Sequence, residues 1–349
     1  MLVSTAFFAP SLVRIKPGAL DRLGVYARRE RLDRVLLVQS GDLPGVLVER
    51  ADRSLAGADV TVAVRAEVGE AALPRAQSLA WETPPDLSAV IGLGGGRALD
   101  VAKYTAHLRR LPYLAVPTSL SNDGFASNQA SLQVEGRHRS LPTRLPAGVI
   151  IDTEVCLEAP ARLWLAGVGD LAAKISAVRD WKLAARDRGE ALNDFAALLS
   201  VATVYQFMAR PRHDLEGVRL LATALLLSGI AMEVAGSSRP ASGAEHLISH
   251  ALDALAERPR SHGFQVGAAS YLVTRWQGRD HERVADLFAA TGFWDAVRAD
   301  PFSRDAWTEA IRRAPEFRPG YYTILSARDF TGDFRRACDE DAALRGCFV

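Results

Sequence analysis

Residues 90–100 have the sequence VIGLGGGRALD. An apolar run is followed by three adjacent glycines, Gly94 to Gly96, and then by residues that favour a helix. Glycine permits a positive φ and a close approach of the backbone to a ligand, and the free N–H groups of a following helix attract phosphate. The segment therefore predicts a cradle for a pyrophosphate. Its spacing is neither the G-x-G-x-x-G fingerprint nor a P-loop, and a tight turn without a ligand is the alternative.

The sequence around this turn alternates short apolar runs with helical stretches. Strands are predicted at 35–38, 59–64, 89–93 and 113–116, with helices at 70–81 and 98–108 between them. This alternation is typical of βαβ units, so residues 1–158 are predicted to form an α/β nucleotide-binding domain with a doubly wound parallel sheet. Gly136, within the polar alternating stretch 128–144, predicts a hairpin.

Residues 159–349 have a different pattern, with long helical periodicities and few strand signals. Helices are predicted at 163–186, 194–208, 216–234, 244–256 and 263–276. A chain of 349 residues is long enough for two domains, and the second is predicted to be all-helical. The most apolar segment, 220–236, is shorter than a membrane span and contains Glu233, which predicts a buried core helix.

Composition excludes several classes of protein. The chain has 42 Lys and Arg residues and 41 Asp and Glu residues. The resulting formal charge of +1 is too small to attract the protein strongly to nucleic acid or to an anionic membrane. Cys156, Cys338 and Cys347 are too few and too far apart for a disulfide framework or a thiolate zinc site. The apolar stretch 1–15 has no preceding basic region and is not predicted to be a signal peptide. A cytoplasmic protein is expected.

A second polar turn follows the strand predicted at 113–116. Thr118, Ser119 and Ser121 offer hydroxyls for phosphate or nicotinamide, and Asp123 offers a carboxylate for a substrate hydroxyl. Open α/β sheets bind ligands beyond the carboxyl ends of their strands, which favours a functional role. The same residue types also form turns without any ligand, and that alternative stays open.

Three of the seven histidines lie within residues 246–262. His246 and His250 are four residues apart and share a helix face, while His262 precedes the next predicted helix. Two imidazoles need a third ligand to hold a divalent metal, and Asp170, near the start of a predicted helix, is the best candidate. An N-cap role for Asp170 is the alternative, and spacing alone does not decide between His246 and His250. The triad of non-haem iron oxygenases has similar ligands, but the glycine turn disfavours it.

Five segments in order resemble the sn-glycerol-1-phosphate dehydrogenase family. They are GLGGGRALDVAK (92–103), VPTSLSNDGFAS (116–127), GVGDLAAKISAVRDW (167–181), SGAEHLISHALD (242–253) and HGFQVG (262–267). The family belongs to the group of iron-type alcohol dehydrogenases, glycerol dehydrogenases and dehydroquinate synthases. The resemblance implies a dehydroquinate synthase-like fold, NAD or NADP as cofactor, and one divalent metal, Zn²⁺ with Ni²⁺ and Fe²⁺ as alternatives. It also implies a homo-oligomer.

The resemblance further implies a role for each matching residue. The cofactor pyrophosphate would be held by Gly94, Gly95, Gly96, Arg97 and Ala98, and the rest of the dinucleotide by Thr118, Ser119, Leu120, Ser121 and Ser127. The metal would be bound by Asp170, His246 and His262. Asp123 and His250 would contact the substrate, a small polyol or its phosphate. The implied reaction is metal-dependent hydride transfer between NAD(P)H and dihydroxyacetone phosphate, which gives sn-glycerol 1-phosphate.

The chain departs from the family pattern in three places. Phe264 stands where an acid usually follows His-Gly, Asn122 where many members have His, and Asn128 where Pro is frequent. Two other functions are therefore considered, a dehydroquinate synthase-like cyclase that uses bound NAD and a non-catalytic dinucleotide-binding protein. Asp42 is expected near the adenine ribose, where it would disfavour NADPH.

The anchor for a substrate phosphate is not assigned from the sequence. Arg137 and Arg139, on the predicted hairpin, are the basic residues considered for that role.

Overall fold

The computed structural model describes residues 8–349, so the first seven residues of the N-terminal apolar stretch lie outside the described residues. The chain divides into two compact units, the first ending at Ala159 and the second beginning at Pro160.

The first unit is built on a six-stranded sheet with the order β1-β8-β5-β4-β2-β3. Its strands are β1 (Leu12–Lys16), β2 (Arg34–Ser40), β3 (Thr61–Val68), β4 (Ala89–Gly94), β5 (Tyr113–Pro117) and β8 (Gly148–Asp152). Every strand pair in this sheet is parallel. All six residues of β4 are buried, as expected of a central strand covered on both faces.

Five helices accompany this sheet. They are α1 (Leu23–Arg29), α2 (Gly45–Ala56), α3 (Leu73–Glu82), α4 (Gly96–Arg109) and α5 (Thr153–Glu158), with 3-10 turns at Leu20–Arg22 and Asp123–Ala126. The predicted strands and helices of this unit are present with shifted ends. The sequence pattern does not predict β1, because Arg14 and Lys16 interrupt its apolar residues, or the short strand β8.

The predicted hairpin is present as β6 (Gln129–Val134) and β7 (Arg137–Pro142), which pair antiparallel. Glu135 and Gly136 connect the strands with φ values of 51° and 76°. Two consecutive positive φ angles are typical of the type I′ turn that suits the twist of a two-residue hairpin.

The second unit consists of helices and 3-10 turns, and no strand is assigned within residues 160–349. Its first five helices are α6 (Ala161–Arg188), α7 (Asp194–Met208), α8 (Leu215–Ala235), α9 (Ala244–Leu255) and α10 (His262–Trp276). They are followed by α11 (His281–Thr291), α12 (Phe293–Arg298), α13 (Arg304–Arg313), α14 (Ile324–Ala327) and α15 (Thr331–Glu340). Further 3-10 turns lie at Ala314–Phe317 and Ala342–Leu344. The predicted fold class, a doubly wound parallel sheet followed by an all-helical part, is confirmed.

Helix α8 is long and apolar enough to cross a membrane by length and composition. More than half of its most apolar window, 56%, is buried inside the protein. The helix packs against α6 and α7, which agrees with the core helix predicted for this segment.

Candidate active site

The glycine turn lies at the topological switch point of the first unit's sheet. From β2 the chain passes to the edge strand β3 and then returns to the other side of β2 as β4. Ligands of open α/β sheets bind at the carboxyl ends of the strands that flank such a reversal. Ser40 ends β2 and Gly94 ends β4, so these two residues mark the expected binding edge.

The close contact between these strand ends requires a glycine. Gly94 has a φ of 133°, and a Cβ atom there would lie 2.3 Å from the hydroxyl oxygen of Ser40. That hydroxyl accepts a hydrogen bond of 3.0 Å from the backbone N–H of Gly95. Ser40 thus fixes the shape of the turn. Its role was missed, although a polar residue at the end of the buried run VLLVQS is a usable signal.

The start of α4 is open where an anion would approach. A Cβ atom on Gly96, the first residue of this helix, would meet no atom within 4 Å. The N–H groups of the first helical turn have no partner within the helix and carry the positive end of its dipole. Ala98 is fully buried, so its methyl group faces the core and not the turn's open side. The donor set and the free space fit a pyrophosphate.

Arg97 and Asp42 form an ion pair of 3.1 Å beside this turn, and both side chains are exposed. Arg97 also donates a hydrogen bond of 2.6 Å to the carbonyl oxygen of Gly69. The residue expected near the adenine ribose is thus joined directly to one expected at the pyrophosphate.

The second polar turn is attached to the first. The N–H of Thr118 donates to the carbonyl oxygen of Gly94 at 3.1 Å, because β5 pairs with β4 up to Pro117. Thr118, Ser119 and Ser121 are half-buried, whereas the Leu120 side chain is 2% exposed and offers only its backbone.

Ser127 and Asn122 shape the end of this turn. The buried Ser127 hydroxyl lies within hydrogen-bond distance of the carbonyl oxygens of Gly124 and Gln129, at 3.1 and 3.0 Å, and can donate to either. Asn122 caps the 3-10 turn that contains Asp123, since its side-chain oxygen accepts the N–H of Gly124 at 2.9 Å. The departure from the family pattern at Asn122 therefore has a structural role, and the contact of Ser127 with a dinucleotide remains a prediction.

Lys103 is a buried lysine that the sequence analysis missed. From α4 its ammonium group donates to the carbonyl oxygens of Gly124 and Gln129, at 2.5 and 2.7 Å, and lies 3.4 Å from the Asp100 carboxylate. It therefore ties the helix that follows the glycine turn to the loop that carries Asp123. The signal available was a lysine on the buried face of α4.

Asp170 lies well inside α6 and not at its start. The helix begins at Ala161 and its N-cap is Pro160, so the alternative that Asp170 caps the helix is wrong. The side chain is 1% exposed, and a carboxylate this deeply buried requires compensating charge or donors.

Two glycines bring Asp170 and His262 together. A Cβ atom on Gly169 would lie 2.1 Å from the carbonyl oxygen of Gly263, and one on Gly263 would lie 2.1 Å from that of Ala166. The backbones of α6 and α10 therefore touch where each candidate ligand stands beside a glycine. The motifs at 167–181 and 262–267 therefore contain the pairs Gly-Asp and His-Gly because a glycine beside each candidate ligand allows the two helices to touch.

The three candidate ligands converge within the second unit. The Nε2 atoms of His246 and His262 each lie 3.9 Å from Oδ1 of Asp170. One ligand atom from each of the three residues lies within 4.8 Å of the others. Ligand atoms around a tetrahedral ion with bonds near 2.1 Å are about 3.4 Å apart, so small inward shifts would close the site.

Neighbouring side chains orient both imidazoles. Nδ1 of His246 is 2.9 Å from Oε1 of Glu245, and Nδ1 of His262 is 3.2 Å from the hydroxyl of Ser249. An Nδ1 contact of this kind leaves Nε2 directed at the metal position, as in many metal-binding histidines. Burial raises the pKa of the Glu245 carboxyl to about 7. Neither Glu245 nor Ser249 was singled out from the sequence.

His250 is separate from the ligand group. Its side chain is exposed, and its ring centroid lies 6.4 Å from that of His246 and 6.5 Å from that of His262. Surrounding protein, with His246 and His262 contributing, lowers the pKa of His250 to about 4. The structure thus separates the two helical histidines that spacing alone left equivalent.

Phe264 does not face this group of side chains. It is 1% exposed, its ring centroid lies 5.3 Å from that of Phe293, and the guanidinium carbon of Arg162 lies 4.6 Å from its ring. The departure at this position places an aromatic ring in the core between α6, α10 and α12. Two imidazoles and one carboxylate oxygen remain, and this donor set suits Zn²⁺, Ni²⁺ or Fe²⁺.

The fold is that of the iron-type alcohol dehydrogenases. The family model described as iron-containing alcohol dehydrogenase matches residues 14–160. A glycerol dehydrogenase from Schizosaccharomyces pombe superposes with a TM-score of 0.73 at 20% identity, covering 96% of this chain and 90% of that one. An iron-containing alcohol dehydrogenase from Corynebacterium glutamicum gives 0.68 at 18% identity and covers 98% of both chains.

Curated relatives identify the family more narrowly. Glycerol-1-phosphate dehydrogenase [NAD(P)+] from Methanothrix thermoacetophila is 35% identical over 324 residues, 90% of this chain and 91% of that protein. The enzyme of the same name from Aeropyrum pernix is 34% identical over 335 residues, 94% and 95% of the two chains. The chain therefore belongs to the glycerol-1-phosphate dehydrogenase family, and the resemblance stated from the five motifs is confirmed.

Proposed function

We propose that this protein is a metal-dependent dehydrogenase that interconverts dihydroxyacetone phosphate and sn-glycerol 1-phosphate with NAD(P)H. The observation that carries the proposal is the convergence of Asp170, His246 and His262 in a chain related over most of its length to proteins of that name. The substrate, the cofactor and the residue roles below belong to the proposal.

The first unit holds the nicotinamide cofactor, which accepts or supplies the hydride. Gly94, Gly95, Gly96, Arg97 and Ala98 bind its pyrophosphate, and Thr118, Ser119, Leu120, Ser121 and Ser127 surround the rest of it. The open space at Gly96 and the unpaired N–H groups at the start of α4 support this role.

The second unit holds the metal through Oδ1 of Asp170 and the Nε2 atoms of His246 and His262. A bound Zn²⁺, Ni²⁺ or Fe²⁺ supplies a Lewis acid that stabilises negative charge on the substrate oxygen. Glu245 and Ser249 hold the two imidazoles in the orientation that ligation needs.

His250 and Asp123 act on the substrate. The exposed His250 imidazole can accept a proton from a substrate hydroxyl during oxidation. Asp123 accepts a hydrogen bond from a hydroxyl of the substrate. These side chains are the catalytic residues of the proposal.

The reaction is tested by following NADH and NADPH oxidation with dihydroxyacetone phosphate and dihydroxyacetone, after reconstitution with Zn²⁺, Ni²⁺ or Fe²⁺. We expect one reduced cofactor to be consumed for each substrate molecule and sn-glycerol 1-phosphate as product. A cyclase would show no net cofactor turnover, and a non-catalytic protein would bind cofactor without turnover. Either result would contradict the proposal.

The metal site is tested by His246→Ala and His262→Ala, with His138→Ala as the control. His138 is an exposed residue of the hairpin, and its loss should leave metal content and activity unchanged. Each ligand variant should lose bound metal and activity together. Full metal content in either variant, measured by atomic emission, would show that the assigned ligands are wrong.

The assembly state and location are the remaining parts of the proposal. We expect a cytoplasmic homo-oligomer, at least a dimer, that acts on a small molecule without nucleic acid. Light scattering coupled to gel filtration measures the assembly.

A further inference from the structure

Arg318 is an exposed arginine next to the helix that carries His246 and His250. It directly follows the 3-10 turn Ala314–Phe317, which packs against α9. The guanidinium group therefore lies in the same unit as the candidate metal site and near the helix that carries its ligand His246, although its sequence neighbourhood contains none of the five family motifs quoted above.

Three contacts fix the direction of this side chain. Its guanidinium carbon lies 3.9 Å from the ring centroid of Tyr321, and one terminal nitrogen donates to the hydroxyl of Ser238 at 2.8 Å. The Tyr321 hydroxyl in turn donates to the carbonyl oxygen of Ser242 at 2.6 Å, two residues before α9 begins. Stacking on an aromatic ring orders an arginine without neutralising it.

The charge of Arg318 has no carboxylate partner among residues 8–349. Arg239 differs in this respect: its guanidinium carbon lies 3.7 Å from the same Tyr321 ring, but its buried side chain forms an ion pair with Glu190. Arg312 and Arg313, just before the turn, are paired with Glu309 and Glu316. Arg318 is thus an ordered cation whose charge remains available to an anion from solution.

Arg318 and His250 lie within electrostatic range of each other. Partial desolvation by the surrounding protein, with His246 and His262 contributing, lowers the pKa of His250, and the Arg318 charge acts in the same direction. Since the Tyr321 ring on which Arg318 stacks is hydrogen-bonded to Ser242, two residues before α9, the guanidinium lies near the beginning of the helix that carries His246 and His250. Arg137 and Arg139, the basic residues considered from the sequence, lie exposed on β7 in the first unit.

We propose that Arg318 binds the phosphate group of a small phosphorylated substrate, with Tyr321 and Ser238 holding the guanidinium in place. This inference rests on the proposed function, because it concerns the substrate of that same site. The planar guanidinium matches a phosphate with two parallel hydrogen bonds, which an ammonium group cannot supply.

The test compares Arg318→Met and Arg318→Lys with the wild-type holoenzyme. In Arg318→Met we expect kcat/KM for dihydroxyacetone phosphate to fall by about 10- to 100-fold. This is the loss of binding expected when one hydrogen-bonded contact between charged groups is removed. The value for dihydroxyacetone should stay within about twofold, and inhibition by inorganic phosphate should weaken in parallel. Arg318→Lys should lose less, because it keeps the charge. Arg312→Met, which removes a surface arginine already paired with Glu309, is the control and should behave as wild type.

Three outcomes would overturn the inference. Equal losses for the phosphorylated and unphosphorylated substrates would show that Arg318 only supports the fold, and unchanged kinetics would show no role. A loss seen with NADPH but not with NADH would assign the contact to the cofactor phosphate. If the wild-type enzyme turns over no polyol phosphate, the proposed function fails. Calorimetric titration of inorganic phosphate into wild type and Arg318→Met then tests the anchor alone, and equal affinities would reject it.

Discussion

The ammonium nitrogen of Lys174 lies 3.0 Å from Oδ2 of Asp170, one helical turn away on α6, and the two side chains are 0% and 1% exposed. Oδ1 of the same carboxylate faces the Nε2 atoms of His246 and His262. Lys174 therefore occupies one oxygen of Asp170 and leaves the other directed at the imidazoles. It also offsets the charge of a carboxylate that is buried away from water.

Lys174→Met should make the stability of the protein depend more strongly on metal. Removal of one partner of a buried ion pair costs about 3–5 kcal/mol, and a divalent ion next to Asp170 would restore part of that loss. We expect a larger rise in Tm on metal addition for Lys174→Met than for wild type, measured by calorimetry with EDTA or Zn²⁺. Lys182→Met, at an exposed position of the same helix, is the control. If metal raised the Tm of Lys174→Met no more than that of wild type, the result would argue against the proposed effect of the Lys174–Asp170 ion pair.

Gly263→Ala should destabilise the second unit and weaken metal binding together. The new methyl group would lie 2.1 Å from the carbonyl oxygen of Ala166, so α6 and α10 would have to separate beside His262. Overpacking typically costs about 1–3 kcal/mol, and we expect the upper part of this range because backbone and not a flexible side chain must move. Urea unfolding and a chelator competition assay measure the two effects. The matched control is Gly332→Ala. Gly332 is also the second residue of a helix, α15, but has open space around it, so this substitution should change neither stability nor metal binding appreciably.

Much of the fold was predictable because its signals are local. The apolar run before Gly94 and the glycines after it predict strand, turn and helix without knowledge of the rest of the chain. The spacing of His246 and His250 places both on one helix face, but only the packing of α9 against α6 and α10 shows which one meets Asp170. Contacts that join distant segments leave no periodic pattern.

Two of the residues that were missed, Ser40 and Lys103, have partners far away in sequence. Ser40 accepts a hydrogen bond from the N–H of Gly95, which lies between β4 and α4, and Lys103 reaches Gly124 and Gln129 beyond the next strand. A lysine or serine in an apolar segment is compatible with many environments. Lys103 lies within a family motif, but only the structure shows that its buried ammonium group links α4 to the loop that carries Asp123.

Asp42→Asn should shift cofactor preference toward NADPH. The carboxylate pairs with Arg97 at 3.1 Å beside the glycine turn, so its removal would free a cation and remove a charge that repels a 2′-phosphate. Because both groups are exposed, we expect a change of about 5- to 10-fold in the NADPH to NADH ratio of kcat/KM. Asp86→Asn, which removes another exposed carboxylate paired with Arg34, is the matched control. An unchanged ratio would show that Asp42 does not discriminate between the cofactors.

Asp180→Asn should change how stability depends on pH. Burial, with the nearby Glu245 carboxylate contributing, raises the pKa of Asp180 to about 7, against 3.8 as its ordinary value. The folded protein therefore holds a proton between about pH 4 and 7 that the unfolded chain releases, and this contribution to stability is lost as the pH rises through 7. The free energy of unfolding of wild type minus that of the variant should fall by more than about 1 kcal/mol between pH 5 and pH 8. Urea unfolding in EDTA measures it without interference from metal binding. A difference that stays constant or rises over this range would show that Asp180 is ionised throughout, held by the N–H groups of Ala244 and Ile324.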